Sequence, residues 1–124
     1  MRTVRRALLV RDRRIPLEVA LDRTARRRGL LGRDGIDGAL LLQPAGSIHT
    51  VRMRFAIDAA FCTADLEVLA VQTLPPGRLS RPRRRVRAVL EAEAGSFVGW
   101  GIEPGVRLRT GAAPTRGSRA AGSS

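Results

Sequence analysis

Short apolar runs broken by charge and by turn residues dominate this chain, and their spacing is that of strands. Residues 7–10 (ALLV) and 15–20 (IPLEVA) flank Arg11-Asp12-Arg13-Arg14, the pattern of a β-hairpin. Pro16 has no N–H to give a ladder, which predicts an edge position or an irregular start for the second of these strands. Residues 25–31 (ARRRGLL) contain no β-branched side chain, and Asp22 or Thr24 can accept from the free N–H groups of a first helical turn. Gly29 or Gly32 supplies a stop. Leu21, Ala25, Leu30 and Leu31 are expected on one apolar face, with Arg23, Arg26 and Arg27 turned to water.

Further on, GALLLQ (38–43) is a continuous apolar run ended by Pro44-Ala45-Gly46, the signature of a strand buried on both faces. Residues 57–62 and 67–73 flank a hairpin connection at 63–66. Residues 86–92 are expected to alternate between faces, 95–101 to form a short helical turn around Phe97 and Trp100, and 106–109 to be a closing strand. The expected fold is mainly β (α+β): a compact β-sandwich or partly open barrel with one α-helix in the N-terminal half.

Length bounds the organisation. A chain of 124 residues suits one domain. Residues 111–124 (GAAPTRGSRAAGSS) hold no large apolar side chain and cannot offset their ordering entropy. A single β-rich domain over residues 1–110 with a disordered tail over 111–124 is therefore expected.

A formal net charge of +12 suggests a polyanion partner. Yet all 23 cations are arginine, and lysine, asparagine and tyrosine are absent together. A skew across several residue types points to genomic base composition, so arginine count alone does not argue for arginine chemistry. The densest patch, Arg81, Arg83, Arg84 and Arg85 within residues 78–87, could grip phosphates, but no aromatic side chain is interleaved to stack bases. Nucleic acid is not the expected partner.

The N-terminal apolar run is four residues long, against about 7–15 for a secretory core and about 20 for a membrane helix. Together with the single cysteine, Cys62, this predicts a cytoplasmic protein with no membrane span.

Five residues are candidates for a ligand-binding site: Arg33, His49, Thr50, Asp58 and Glu91. His49 is the only histidine and follows a Pro-Ala-Gly-Ser turn, so it can serve as base, ligand or hydrogen-bonding anchor. A metal needs three or four protein ligands, and one His with one Cys supplies too few; no metal and no cofactor are expected. Strand alternation places Asp58 opposite Phe61, beside Ala60 and Cys62. Glu91 is an acid among Val89, Leu90 and Ala92. Cys62 is expected to be buried and inert.

The segments GLLGR (29–33), SIHTVRMRFAIDAAF (47–61), VLEAEAG (89–95) and GWGIEPGVRL (99–108) together resemble the Domain of Unknown Function 192 family. Typical members carry a Gly-Leu-Met-Gly-Arg-like helix end, which Gly29-Leu30-Leu31-Gly32-Arg33 resembles. Ile57-Asp58 matches their Leu-Asp strand start, Val89-Leu90-Glu91 their Val-Leu-Glu strand, and Gly101-Ile102 with Gly105 their closing turn. His49-Thr50-Val51-Arg52-Met53 stands where the commoner form has Trp-Met-Lys-Asn-Thr, a His-Thr-x-x-Met variant. Ala56 replaces a proline there, and Val106 an acid. The resemblance implies a mainly β fold with one helix and no established activity.

The resulting expectation is a non-enzymatic module that binds an unidentified small molecule or protein through a polar pocket around His49 and Asp58. The alternatives are a hydrolase-like enzyme with His49 as base and Asp58 as orienting acid, and a polyanion binder acting through residues 78–87.

Overall fold

The structure, a computed structural model, describes residues 2–113. The protein is mainly β, with 42% strand and 10% helix. Seven strands form one open sheet: β1 (Thr3–Val10), β2 (Arg13–Ala20), β3 (Ala39–Leu42), β4 (Ile57–Cys62), β5 (Val68–Leu74), β6 (Ala88–Glu93) and β7 (Arg109–Ala112). Their order is β5-β4-β6-β3-β2-β1-β7. Helix α1 (Arg23–Arg28) lies between β2 and β3, and α2 (Ser96–Trp100) between β6 and β7. The sheet does not close into a barrel.

The two hairpins expected from apolar spacing, β1–β2 and β4–β5, are both present as antiparallel pairs. Between them lies β3, parallel to β2 and antiparallel to β6, with all four residues buried. A strand covered on both faces cannot afford alternation, which explains its uninterrupted apolar sequence. The same position explains β6. Its first five residues are buried, so the alternation expected over residues 86–92 gives way to two-sided burial.

Each face of the sheet carries its own core. Leu8, Ile15, Leu17, Leu41, Cys62, Val68 and Leu90 point to one side, where Phe97, Ile102, Val106 and Leu108 cover them. Leu40, Leu42, Ile57, Ala59, Phe61 and Val89 point to the other, under Ala25, Leu30, Ile48 and Met53. At about 1.5–3 kcal/mol for each large side chain fully removed from water, these two layers supply most of the driving force for folding.

Several local expectations are corrected. Pro16 does not place β2 at an edge, since β2 has β1 on one side and β3 on the other. The β2–β3 ladder starts at Leu17, so the proline ring falls just short of it. Opposite, Gly38 has φ of +82°, and a Cβ there would lie 2.0 Å from the Pro16 carbonyl oxygen; only glycine lets the two backbones approach. Leu21 does not join the apolar face of α1, being 46% exposed; Asp22 starts the helix, and Leu21 precedes its first turn. The second helical segment is a true short helix, α2.

The closing strand runs over Arg109–Ala112, not 106–109, and pairs with β1. Gly111 and Ala112 therefore belong to the sheet, with Ala112 opposite Arg6 and its carbonyl oxygen accepting from Arg14 at 2.7 Å. Strand hydrogen bonds recruit these small residues without any large side chain. The remainder of the expected tail, residues 114–124, lies outside the described residues.

Candidate functional site

Helix α1 is short and well capped. The Asp22 carboxylate accepts from the Ala25 N–H at 2.8 Å, and the Gly29 N–H donates to the Ala25 carbonyl at 3.0 Å. Ala25 faces the sheet and is buried, which leaves Arg26 half-buried and Arg27 exposed along one flank. After Gly29 the chain turns through Leu30 and brings Arg33 back over β2. There the Arg33 guanidinium makes two 2.9 Å hydrogen bonds to the Glu18 carboxylate, a bidentate pair. These bonds hold the Glu18 carboxyl below its ordinary pKa and raise that of Arg33.

Glu91 sits at the centre of this face. Register places Glu18, Leu40, Glu91 and Ala59 in one row across β2, β3, β6 and β4. Glu91 is 3% exposed, and its Oε1 has no hydrogen-bond partner among the described residues. Above it stands Gly29, with φ of +54°. Burial pushes the Glu91 carboxyl up to about 7, partly offset by the positive charge of Arg33. An acid without donors in such a place holds its proton near neutrality, because the charged form is the one burial penalises.

The loop after β3 forms the other wall. Ile48 and Ser80 bind each other from both ends: Ser80 N–H to the Ile48 carbonyl at 2.9 Å, and Ile48 N–H to Ser80 Oγ at 2.8 Å. Two residues on, buried Thr50 donates from Oγ1 to the Pro75 carbonyl at 2.7 Å and accepts there from the Arg78 N–H at 2.8 Å. Its backbone exchanges with Arg78 and Gly77 at 2.8 and 2.7 Å. With Ile48 and Thr50 anchored inward, His49 between them points outward and is exposed. Its imidazole makes no hydrogen bond among the described residues, so it is not the backbone-anchored histidine common at loop–strand junctions.

Between these walls lies a cavity of about 280 Å³. Glu91 is at its base, Leu42 and Ile48 line its sides, and Arg26, Arg27 and His49 stand at its mouth. Ser47 also lines it, and among the described residues no salt bridge or side-chain hydrogen bond engages any of these five polar side chains.

The other sequence candidates are placed differently. Asp58 lies opposite Phe61 as alternation requires, but on the α2 side of the sheet. It accepts from the Thr73 hydroxyl at 2.7 Å and from the N–H groups of Gly95 and Phe97 at 2.9 and 3.1 Å. Asp58 thus caps α2 from a neighbouring strand, does the work the Gly95 N-cap has no side chain to do, and is not hydrogen-bonded to His49. The His49–Asp58 dyad needed by a hydrolase is not assembled. Thr50 has its hydroxyl committed within the loop, and Arg33 is held by Glu18 beside Glu91, its charge felt there.

Cys62 is fully buried, and burial raises its thiol to about 12, which removes the thiolate a nucleophile needs. In the arginine patch, the Arg83 guanidinium lies 4.9 Å over the Phe61 ring, and Arg87 donates to the Arg84 and Val86 carbonyls at 2.8 and 2.9 Å. Among the described residues, no group of three metal-ligating side chains exists and no helix is long and apolar enough to cross a membrane.

Sequence reasoning turned Arg26 and Arg27 to water; Arg27 is exposed as expected and Arg26 half-buried, and what it missed is that both line this cavity. The available signal was their position one turn before a glycine that stands over a buried acid, and the pairing of Gly29 with Glu91 is long-range.

Fold and site together give a mainly β protein whose open sheet carries a cavity on its α1 face, lined by both apolar and polar side chains. The family model for DUF192, described as an uncharacterized ACR, matches residues 7–110, and the chain belongs to that family. No curated protein matches the sequence. Two solved structures share the fold. A candidate transcription regulator from Sinorhizobium meliloti 1021 is 22% identical, with a TM-score of 0.74 over 88% of this chain and 94% of that one. A protein of unknown function from Novosphingobium aromaticivorans DSM 12444 is 18% identical, with a TM-score of 0.69 over 86% of this chain and 84% of that one.

Proposed function

We propose that the protein is a non-enzymatic binding module whose site is the cavity between α1 and the residue 44–50 loop. The observation that carries this reading is the buried, unpartnered Oε1 of Glu91 at the base of that cavity. Buried polar atoms are nearly always hydrogen-bonded, because leaving one unmade costs about 1–3 kcal/mol. A site that retains such an atom beside an opening is set up to receive a donor from outside. The segments that carry the family likeness support the same place: GLLGR supplies Gly29 and Arg33, and VLEAEAG supplies Glu91. His49 belongs to this site as a rim residue, whereas Asp58 serves α2.

Thermal-shift screening of the intact protein against a small-molecule library, in parallel with Glu91→Gln, tests the reading. Ligands that bind the folded state raise the melting temperature by mass action. Hits on the wild type that lose their shift in Glu91→Gln are the expected result. Hits insensitive to that change, or none, would overturn it.

A further inference from the structure

Resting on the binding-module reading, we propose that the cavity takes a small zwitterion, its ammonium group against Glu91 and its anionic group between Arg26 and Arg27. The charged groups fall into a buried one and more exposed ones, with the Ser47 hydroxyl a further polar group of the lining. At the base is the Glu91 carboxyl, whose Oε1 has no donor among the described residues. At the mouth are two guanidiniums with no acceptor among the described residues, with His49 beside them. Arg33, which does not line the cavity, is a cation whose charge acts on Glu91 and is itself held by Glu18.

Leu42, Pro44, Ala45 and Ile48 supply the apolar part of the lining, which suits a short hydrocarbon spacer. A volume of about 280 Å³ falls just below the usual range of ligand sites and limits the occupant to a small molecule. Other classes satisfy only half of this arrangement. A simple anion would be drawn to the mouth but leave Glu91 without a donor, and a hydrocarbon would leave the charged groups at base and mouth unmet. A simple cation meets two arginines on its way in. An ammonium on Glu91 forms a charge-assisted bond, and a carboxylate or phosphate at the mouth matches the fork of an arginine.

The test is an amide-resolved NMR titration of the whole protein, above neutral pH and at low salt, with 5-aminopentanoate, pentylamine and pentanoate. The expected result is saturable movement of the Gly29, Leu42, His49 and Glu91 amides with 5-aminopentanoate. Each single-ended probe should bind at least about tenfold more weakly, the loss of one charge-assisted contact. Glu91→Gln should remove the advantage of the amine end. Arg26→Gln with Arg27→Gln should remove that of the carboxylate end while leaving pentylamine affinity within about twofold, as a screened charge at the mouth allows.

Equal binding of pentanoate and 5-aminopentanoate would overturn the proposal, as would failure of all three probes to move those amides. So would an amine preference that survives in a folded Glu91→Gln protein. If a neutral or purely anionic library hit moves the same amides instead, the zwitterion assignment fails and the binding-module reading stands. If no hit depends on Glu91, the reading beneath it fails as well.

Discussion

A Cβ built on Gly29 would stand 3.1 Å from Oε1 of Glu91, and the backbone there has φ of +54°. The glycine at the end of α1 and the acid in the middle of β6 therefore share one space, 62 residues apart in sequence (91 − 29). Gly29→Ala should destabilise the protein by about 1–2 kcal/mol, from backbone strain and crowding together. In a Glu91→Ala background the crowding disappears, so the cost should fall by about 0.5–1 kcal/mol in a double-mutant cycle. Denaturant titration of the four proteins measures it, and strict additivity would show that the two positions do not compete for room.

Stability should decline as pH rises through the range set by Glu91. Its ordinary pKa is 4.5, and in the folded state it is raised to about 7. Between those values the folded protein keeps a proton that the unfolded chain has released. Stability is thus highest for this group below 4.5, falls towards 7 and is level above. The full effect is up to roughly 3 kcal/mol. Glu18 acts with opposite sign: Arg33 lowers its pKa, so its contribution is present above 4.5 and lost as the folded carboxyl is protonated. The diagnostic is therefore wild type minus Glu91→Gln, measured by urea unfolding across pH. A flat difference would contradict the burial of an ionisable Glu91.

Asp58→Ala should be among the costly polar substitutions, at about 2–4 kcal/mol, because three donors lose their acceptor and two of them begin α2. Phe61→Ala should cost about 3–5 kcal/mol as a core aromatic. His49→Ala, at an exposed position with no side-chain bond, should stay within about 0.5 kcal/mol of wild type. Guanidinium midpoints rank the three. A His49 effect equal to that of Asp58 would reverse their assignments as rim and cap.

The arginine patch should bind polyanions weakly and lose them with salt. Arg81, Arg84 and Arg85 extend into solvent, whereas Arg83 packs on Phe61 and Arg87 on backbone carbonyls. Replacing the first three by serine should reduce the slope of log K against log salt on duplex DNA by up to about three, near one per phosphate contact. Tight binding that persists near physiological salt, or sequence preference, would promote the polyanion reading.

What the sequence disclosed, and what it hid, follows from the range of the interactions. Strands built on their own apolar run were legible, and residues 57–62 matched β4 without adjustment, whereas β7, which has no such run and is held by its pairing with β1, was misplaced. Asp22 was legible as a cap because its acceptor and the Ala25 donor are three residues apart. Asp58 was read to the correct face of its strand but to the wrong task, since the Gly95 and Phe97 donors that claim it are 37 and 39 residues away. Glu91 was singled out as an acid among apolar neighbours. That its Oε1 lacks a hydrogen-bond partner among the described residues, and that Arg26 and Arg27 line the same cavity, depends on the β3–β6 and β4–β6 pairings, which no local pattern encodes.

Strand β3 joins two ribbons of the sheet and meets β2 through three residue pairs, Leu17–Ala39 to Val19–Leu41. A second link runs from β5 to the segment ahead of β7, with Val68 N–H on the Val106 carbonyl at 2.8 Å and Leu108 N–H on the Leu66 carbonyl at 2.9 Å. The sheet thus has a parting line, with β7-β1-β2 on one side and β3-β6-β4-β5 on the other. Glu18 and Arg33 stand on the near bank of that line and Glu91 on the far one, under an α1 that bridges both. A molecule held between α1 and Glu91 would fasten the two ribbons together, and amide exchange along Leu17–Val19 would slow at a distance from the atoms it touches.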